Sequence, residues 1–416
     1  MGKHYLVNDS LFYAHNPYVQ KNPYLHTEVE DAPLPTYAEA KDRLPRPVWQ
    51  GRDDVLACYD KVWEIAFCNL RKPNAAAGFV SNFIDTAFNG YLFMWDSSFI
   101  VMFGRYGSHV FNFQKTLDNF YSHQHKDGFI CREICESEPG EQFQRDDPAS
   151  TGPNIMPWCE WEYYRLTGDK ERLSRVFYPL LAYHKWLQLN RTWRDGSYWS
   201  CGLACGMDNQ PRVESHYCEH ASHGHGIWVD ACIQMVISGK VLIEMGKVLD
   251  CEQDTEWLVR EVEMLTELIN DKLWSEQDAF YYDMWRLGLS GVKSIGAYWS
   301  LLADIVPPER LPRLIAHLEL LFYMAQKEHR NRAKDRRAAK LICIKPHQIP
   351  KSERRAVSKP AISLISISST DTMPAIVNQM TCSSLPVFES ICPETAISIP
   401  SPSTFNTKVI STMTSS

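Results

Sequence analysis

Nowhere in the 416 residues do about 18 apolar residues stand together, and the opening MGKHYLVNDSLFYAHNPY holds no apolar run of signal-peptide length. These absences predict a soluble, cytoplasmic protein without a membrane partner. No CxxC pair occurs among the 13 cysteines, an odd total without a regular framework, which fits reduced and mostly buried thiols better than disulfides. Charge of one sign is also scarce, since the formal net charge is −7 over the whole chain. The only dense basic run, KEHRNRAKDRRAAK at 327–340, has no aromatic residue interleaved for base stacking. Nucleic acid is therefore not an expected partner.

Hydrophobic residues make up 44% of the chain, enough for a sizeable core, and aromatics 12%, with 13 Trp. Sugar rings present flat apolar faces beside polar edges, so saccharide pockets use large rigid aromatics next to carboxylates and amides. Most such rings nonetheless fill cores. Helical periodicity dominates from residue 52 to about residue 320. It predicts a helix over 53–71 with Val55, Tyr59, Val62, Trp63 and Ala66 on one face and Asp53 or Asp54 as cap, and another over 108–124. A helix, turn, helix follows at 157–191, with Gly168 as the stop and Asp169 as the next start. The same grammar recurs at 228–274 and 294–319, which predicts stacked helical hairpins. Strands are scarce; 129–134 and 278–285 read as short strands or extended loops. After Tyr323 the tail turns rich in Ser, Thr and Pro without sustained periodicity. The boundaries expected are an N-terminal extended segment (1–50), a helical domain (51–322) and a disordered or non-homologous tail (323–416).

The stretch CGLACGMDNQPR, 201–212, places Asp208 in a shaped loop: Gly206 permits unusual backbone angles and Pro211 pushes Gln210 toward an extended conformation. An Asp so placed serves either its own turn or a pocket. His216, Cys218, His220, His223 and His225 lie close together, but without clean tetrahedral ligand spacing, and no metal is expected.

Four stretches together, FNGYLFMWDSSF (88–99), DGFICREI (127–134), WCEWEYYRLTGDKERLSRVFYPLLAYHKWL (158–187) and GMDNQPR (206–212) with the following GHGIWVDACIQM (224–235), resemble glycoside hydrolases with an (α/α)6 barrel. The group is that of processing α-glucosidases and mannosylglycerate hydrolases, with trehalases as more distant relatives. The resemblance implies an all-α toroid of stacked helical hairpins, six inner and six outer, incomplete in this chain. It implies a pocket for the non-reducing sugar, no cofactor, and hydrolysis of a small glycoside or oligosaccharide with inversion. Asp208 matches the family's general acid, which must be protonated at neutral pH; burial beside aromatics and near another carboxylate works in that direction. Trp95 and Asp96 match its pocket pair, a ring for the sugar face and a carboxylate for its hydroxyls; the local alternative is a core Trp and a helix-capping Asp. Asn209, Gln210, Arg212, Trp228 and Asp230 are further candidate sugar contacts, with turn bonding, packing and capping as their alternatives. Arg132 and Glu133 either face the site or pair at the surface.

Inversion needs a second carboxylate about 6.5–9.5 Å from the acid to activate water. In relatives it is a late Glu after a Gly- and Trp-rich stretch, and here the resemblance stops near Glu319. Glu328, Glu353, Glu389 and Glu394 lie in no such surroundings. Asp96, Glu133 or Asp230 is left as a substitute base. The alternative is an inactive saccharide-binding fragment lacking the base.

Overall fold

A computed structural model describes residues 15–86, 89–208, 210, 212, 218 and 220–318. Asn209, His216 and the segment 323–416 discussed above lie outside the described residues, as do the four late Glu. The chain divides into two units, Met1–Val306 and Pro307–Ser416. In the second, residues 311–318 are helical.

The first unit is all-α. Its helices are α1 (Tyr37–Ala40), α2 (Asp53–Cys68), α3 (Met94–Gly104), α4 (Lys115–Ser122), α5 (Met156–Thr167), α6 (Lys170–Asn190), α7 (Val229–Val248), α8 (Glu256–Lys272) and α9 (Trp299–Leu302). Helices α3, α5, α7 and α9 touch in succession, while α4, α6 and α8 each pack on the helix before them. Alternate helices thus form an inner row and an outer row. The inner α7 shows why: apolar or small residues surround it on every side, and most of its length is buried. The outer α8 carries a one-sided stripe, burying Leu258, Leu265, Leu268 and Ile269.

The α5–α6 hairpin is fixed by two residues. Gly168 ends α5 at φ 71°, a left-handed conformation that costs glycine nothing, and the Asp169 carboxylate accepts the Arg172 N–H at 2.9 Å to start α6. Buried Arg172 then ties three helices together, donating to Glu160 at 2.7 and 2.8 Å and pairing with Asp118 at 3.0 Å.

Two local expectations change. α2 begins at Asp53, but its N-cap is Arg52 with no side-chain cap bond; Asp53 and Asp54 sit in the first turn, where negative charge favours the helix N-terminus. The helix expected over 108–124 shrinks to Lys115–Ser122, because the Asn112 side chain accepts the Gln114 N–H at 3.1 Å and forms a local turn. Phe113 thereby turns into the aromatic cluster of Trp63 and Phe103.

Strands among the described residues occur only as two-residue or three-residue antiparallel ladders. One matters for the site: β1 (Tyr91–Phe93) pairs with β2 (Glu133–Cys135) so that Phe93 faces Glu133. N-terminal residues 15–50 lie along the domain in short turns, anchored by the buried Asn16 and Asn22 side chains.

Candidate active site

The β1–β2 register decides which residues meet at the N-terminal end of α3. Met94 N–H donates to the Arg132 carbonyl at 2.8 Å, which sets Trp95 and Asp96, in the first turn of α3, beside Arg132 and Glu133. Arg132 pairs with Glu133 at 2.5 Å and is braced by donation to the Ala149 carbonyl at 2.7 Å.

The acid loop closes over this corner. Gly206 has φ 72°, and a Cβ built there would lie 2.6 Å from the Trp95 indole, so the ring lies against bare backbone. Two residues on, Asp208 keeps part of its surface open to solvent, as does Asp96, while protein packs around the rest of both side chains. Their carboxyls and that of Glu133 all stand above the ordinary carboxylate range. For Asp208, loss of hydration raises it, against a downward pull from Arg132 and His220. For Asp96, burial acts first and the charge of Asp208 adds to it. For Glu133, burial again leads, Arg132 opposes it, and Asp208 and Asp96 push further up. Three carboxyls that repel one another around a single guanidinium favour retention of a proton within the group.

Trp95 meets Phe99 edge-on at 4.7 Å and Trp299 at 6.2 Å, and Trp299 meets Trp158 at 6.0 Å. Trp95, Trp158 and Trp299 are all partly exposed and form an aromatic wall next to the carboxylates. Sequence reading missed Trp158 and Trp299. A signal was present: Trp95, Trp158, Trp228 and Trp299 each stand at the N-terminal end of an inner helix.

The remaining candidates lie deeper. Gln210 accepts a hydrogen bond from the Ser294 hydroxyl at 2.6 Å, linking the acid loop to the entry of α9. Arg212 is 2% exposed and clasped on two sides: Asp230 accepts from it at 2.6 and 2.9 Å, Asp283 at 2.6 and 2.8 Å. Its guanidinium also lies 4.3 Å from the Trp228 ring. Trp228 is buried and donates its indole N–H to the His223 carbonyl at 3.1 Å. Asp230 is wholly buried against Arg212, so Arg212, Trp228 and Asp230 form the floor that holds the acid loop. Asp283, the second carboxylate of that clasp, was not singled out from the sequence. His223 meets Trp193, Trp199 and His225 edge-on. Among the described residues no group of three His, Cys, Asp or Glu is placed to hold a metal.

A carboxyl-rich, tryptophan-walled corner thus stands at the entry of the inner helices of a helical glycoside hydrolase domain. Residues 90–320 match the mannosylglycerate hydrolase MGH1-like glycoside hydrolase domain, and the chain belongs to that family. It is 25% identical over 226 residues to an uncharacterized protein of Borreliella burgdorferi, covering 54% of this chain and 44% of that one. The chain thus spans less than half the length of that relative. Among solved structures it resembles the GH63 mannosylglycerate hydrolase of Thermus thermophilus in complex with glucose, with a TM-score of 0.52 and 19% identity over 63% of this chain and 76% of the other. It also resembles a sialidase, with a TM-score of 0.51 and 12% identity over 71% of this chain and 26% of that one. At these identities the likeness to the solved structures is one of fold. No helix among the described residues is long and apolar enough to cross a membrane.

Proposed function

We propose that this chain carries the site of an inverting, exo-acting α-glycosidase that hydrolyses an α-glucosyl or α-mannosyl linkage in a small glycoside or oligosaccharide. The observation that carries the reading is the Asp208 carboxyl, held toward its protonated form within the electrostatic reach of Asp96 and Glu133, on the loop whose Gly206 lies against Trp95. A glycosidic oxygen leaves poorly as an alkoxide; Asp208 donates a proton to it as the bond to the anomeric carbon breaks. Trp95 stacks on the sugar face and Asp96 accepts from its hydroxyls. Asn209 and Gln210 supply further polar contacts to the sugar. Arg212, Trp228 and Asp230 act through the acid loop by keeping it in place.

Water attacks the anomeric carbon from the opposite face and gives up a proton to a carboxylate. Asp230 is committed to Arg212, which leaves Asp96 and Glu133 as acceptors. The names of the matched family and of the Thermus enzyme with glucose support a mannosyl or glucosyl substrate. Proton NMR during hydrolysis tests the stereochemistry: the β-anomer of the sugar appears first from an α-glycoside, whereas first appearance of the α-anomer overturns inversion.

A second reading is a pocket that binds a saccharide without cutting it. The observation favouring it is that Glu133 is paired with Arg132 and Asp230 with Arg212, so that two of the three possible bases are already engaged. Binding of mannose or glucose by calorimetry with no turnover selects this reading.

A further inference from the structure

Between the entries of α5 and α7 lies a cavity of about 30 Å³, lined among others by Asn154, Arg191, Trp199, Cys205, Asp230 and Gln234. Three lining side chains, all 5% exposed or less, carry a polar atom with no partner among the described residues: Arg191 Nε, Gln234 Nε2 and Asn154 Oδ1. Buried polar atoms are rarely left so.

Arg191 is the unusual member. It donates to the carbonyls of Asn190, Arg145 and Asp147 and to the Ser150 hydroxyl, at 2.9–3.1 Å, all neutral acceptors. Its guanidinium lies between Trp186 and Trp199, at 4.7 and 4.8 Å from the ring centres. No carboxylate pairs with it among the described residues, although Asp147 and Asp146 act on it through space. Burial without a paired countercharge pushes it down to about 10. The other buried arginines, Arg145, Arg172 and Arg212, each hold a carboxylate. Asp230 on the cavity wall supplies no compensation, because Arg212 clasps both its oxygens.

Asn154 is oriented by its neighbours: its amide donates to the Ser238 hydroxyl at 2.9 Å, Ser238 bonds His184 at 2.7 Å, and His184 bonds Glu261 at 3.0 Å. That chain is consistent when each group donates to the next, so the Asn154 oxygen faces the cavity as an acceptor. The cavity lining therefore offers a cation, a second donor and one acceptor. About 30 Å³ admits roughly two water-sized bodies, the size of a halide and one water.

We propose that this cavity binds a small monovalent anion of the halide class, bonded by Arg191 Nε and Gln234 Nε2, with one water bridging it to Asn154 Oδ1. The anion would neutralise the buried guanidinium and brace the wall at Ala204 and Cys205, from which the acid loop departs.

Bromide soaked into crystals of the full chain and located by anomalous scattering tests the assignment. A peak within hydrogen-bonding reach of Arg191 Nε and Gln234 Nε2 is expected; two waters and no peak overturn it. In solution, Tm should rise saturably as chloride replaces gluconate at fixed ionic strength. The rise should disappear in Gln234→Leu, and also in Arg191→Lys, which keeps the charge but loses Nε. An equal response to both anions in the unaltered chain, or a chloride response preserved in a folded Gln234→Leu protein, contradicts the proposal.

Discussion

Replacing Gly206 by Ala tests how the acid loop and the sugar platform depend on one another. The added Cβ meets the Trp95 ring at 2.6 Å, so the ring must retreat by about 0.8 Å to reach an ordinary 3.4 Å contact. The left-handed backbone at φ 72° adds about 1–2 kcal/mol of strain for any residue with a Cβ. The first consequence is a stability loss of about that size, readable from the urea midpoint at constant slope. The second concerns catalysis, because a misplacement approaching 1 Å costs up to about 100-fold in rate when it displaces a positioning group. Hydrolysis of an α-mannoside should show kcat/KM falling by roughly 10–100-fold in Gly206→Ala, with the Trp95 ring displaced in the crystal. An unchanged urea midpoint together with unchanged kcat/KM refutes the coupling between Gly206 and Trp95.

Other outcomes follow from the same structure. Arg212→Leu leaves Asp230 and Asp283 buried without their cation and should cost about 3–5 kcal/mol in chemical denaturation; a loss below about 1 kcal/mol contradicts the clasp. Arg132 pulls the Asp208 carboxyl down, so Arg132→Gln should raise it further and move the alkaline limb of kcat to higher pH; movement to lower pH refutes that link. Burial and the neighbouring Asp85 raise Glu136 to about 7, above its unfolded value. Its contribution is therefore full below the ordinary Glu range and lost as pH rises through about 7. Glu136→Gln should match the unaltered chain in Tm near about pH 4 and exceed it near about pH 8, and equal Tm values at both pH values argue against the shift.

Local signals were legible wherever one residue sets the backbone. Gly168 and Asp169 mark the α5–α6 turn because one takes a left-handed angle and the other caps the helix that follows. The shortened α4 was not legible from periodicity, since Asn112 diverts the chain through a side-chain bond while the apolar spacing continues. Within the candidate site, Trp95, Asp96 and Asp208 were reached through the resemblance to helical glycoside hydrolases; local pattern alone favoured a turn-bonding Asp208, a core Trp95 and a helix-capping Asp96. The clasp of Arg212 was not legible, because Asp283 lies 71 residues away in sequence and nothing local announces the pairing. Trp158 and Trp299 were legible in principle through their repeated place at inner-helix entries, a regularity that needs the inner and outer rows to be known first. Solvent exposure is likewise invisible to periodicity: the sequence offered Arg212 and Asp230 as sugar contacts on an equal footing with Asp96, whereas in the fold only Asp96 of these three is open to solvent.

The measurement that tests the account most directly compares two aryl α-mannosides, one with a good and one with a poor leaving group, on the unaltered chain and on Asp208→Asn. A good leaving group needs little protonation, so the substitution should cost about 100–10,000-fold on the poor leaving group and far less on the good one. An equal loss on both substrates, or no hydrolysis by the unaltered chain, contradicts Asp208 as the proton donor of a working glycosidase.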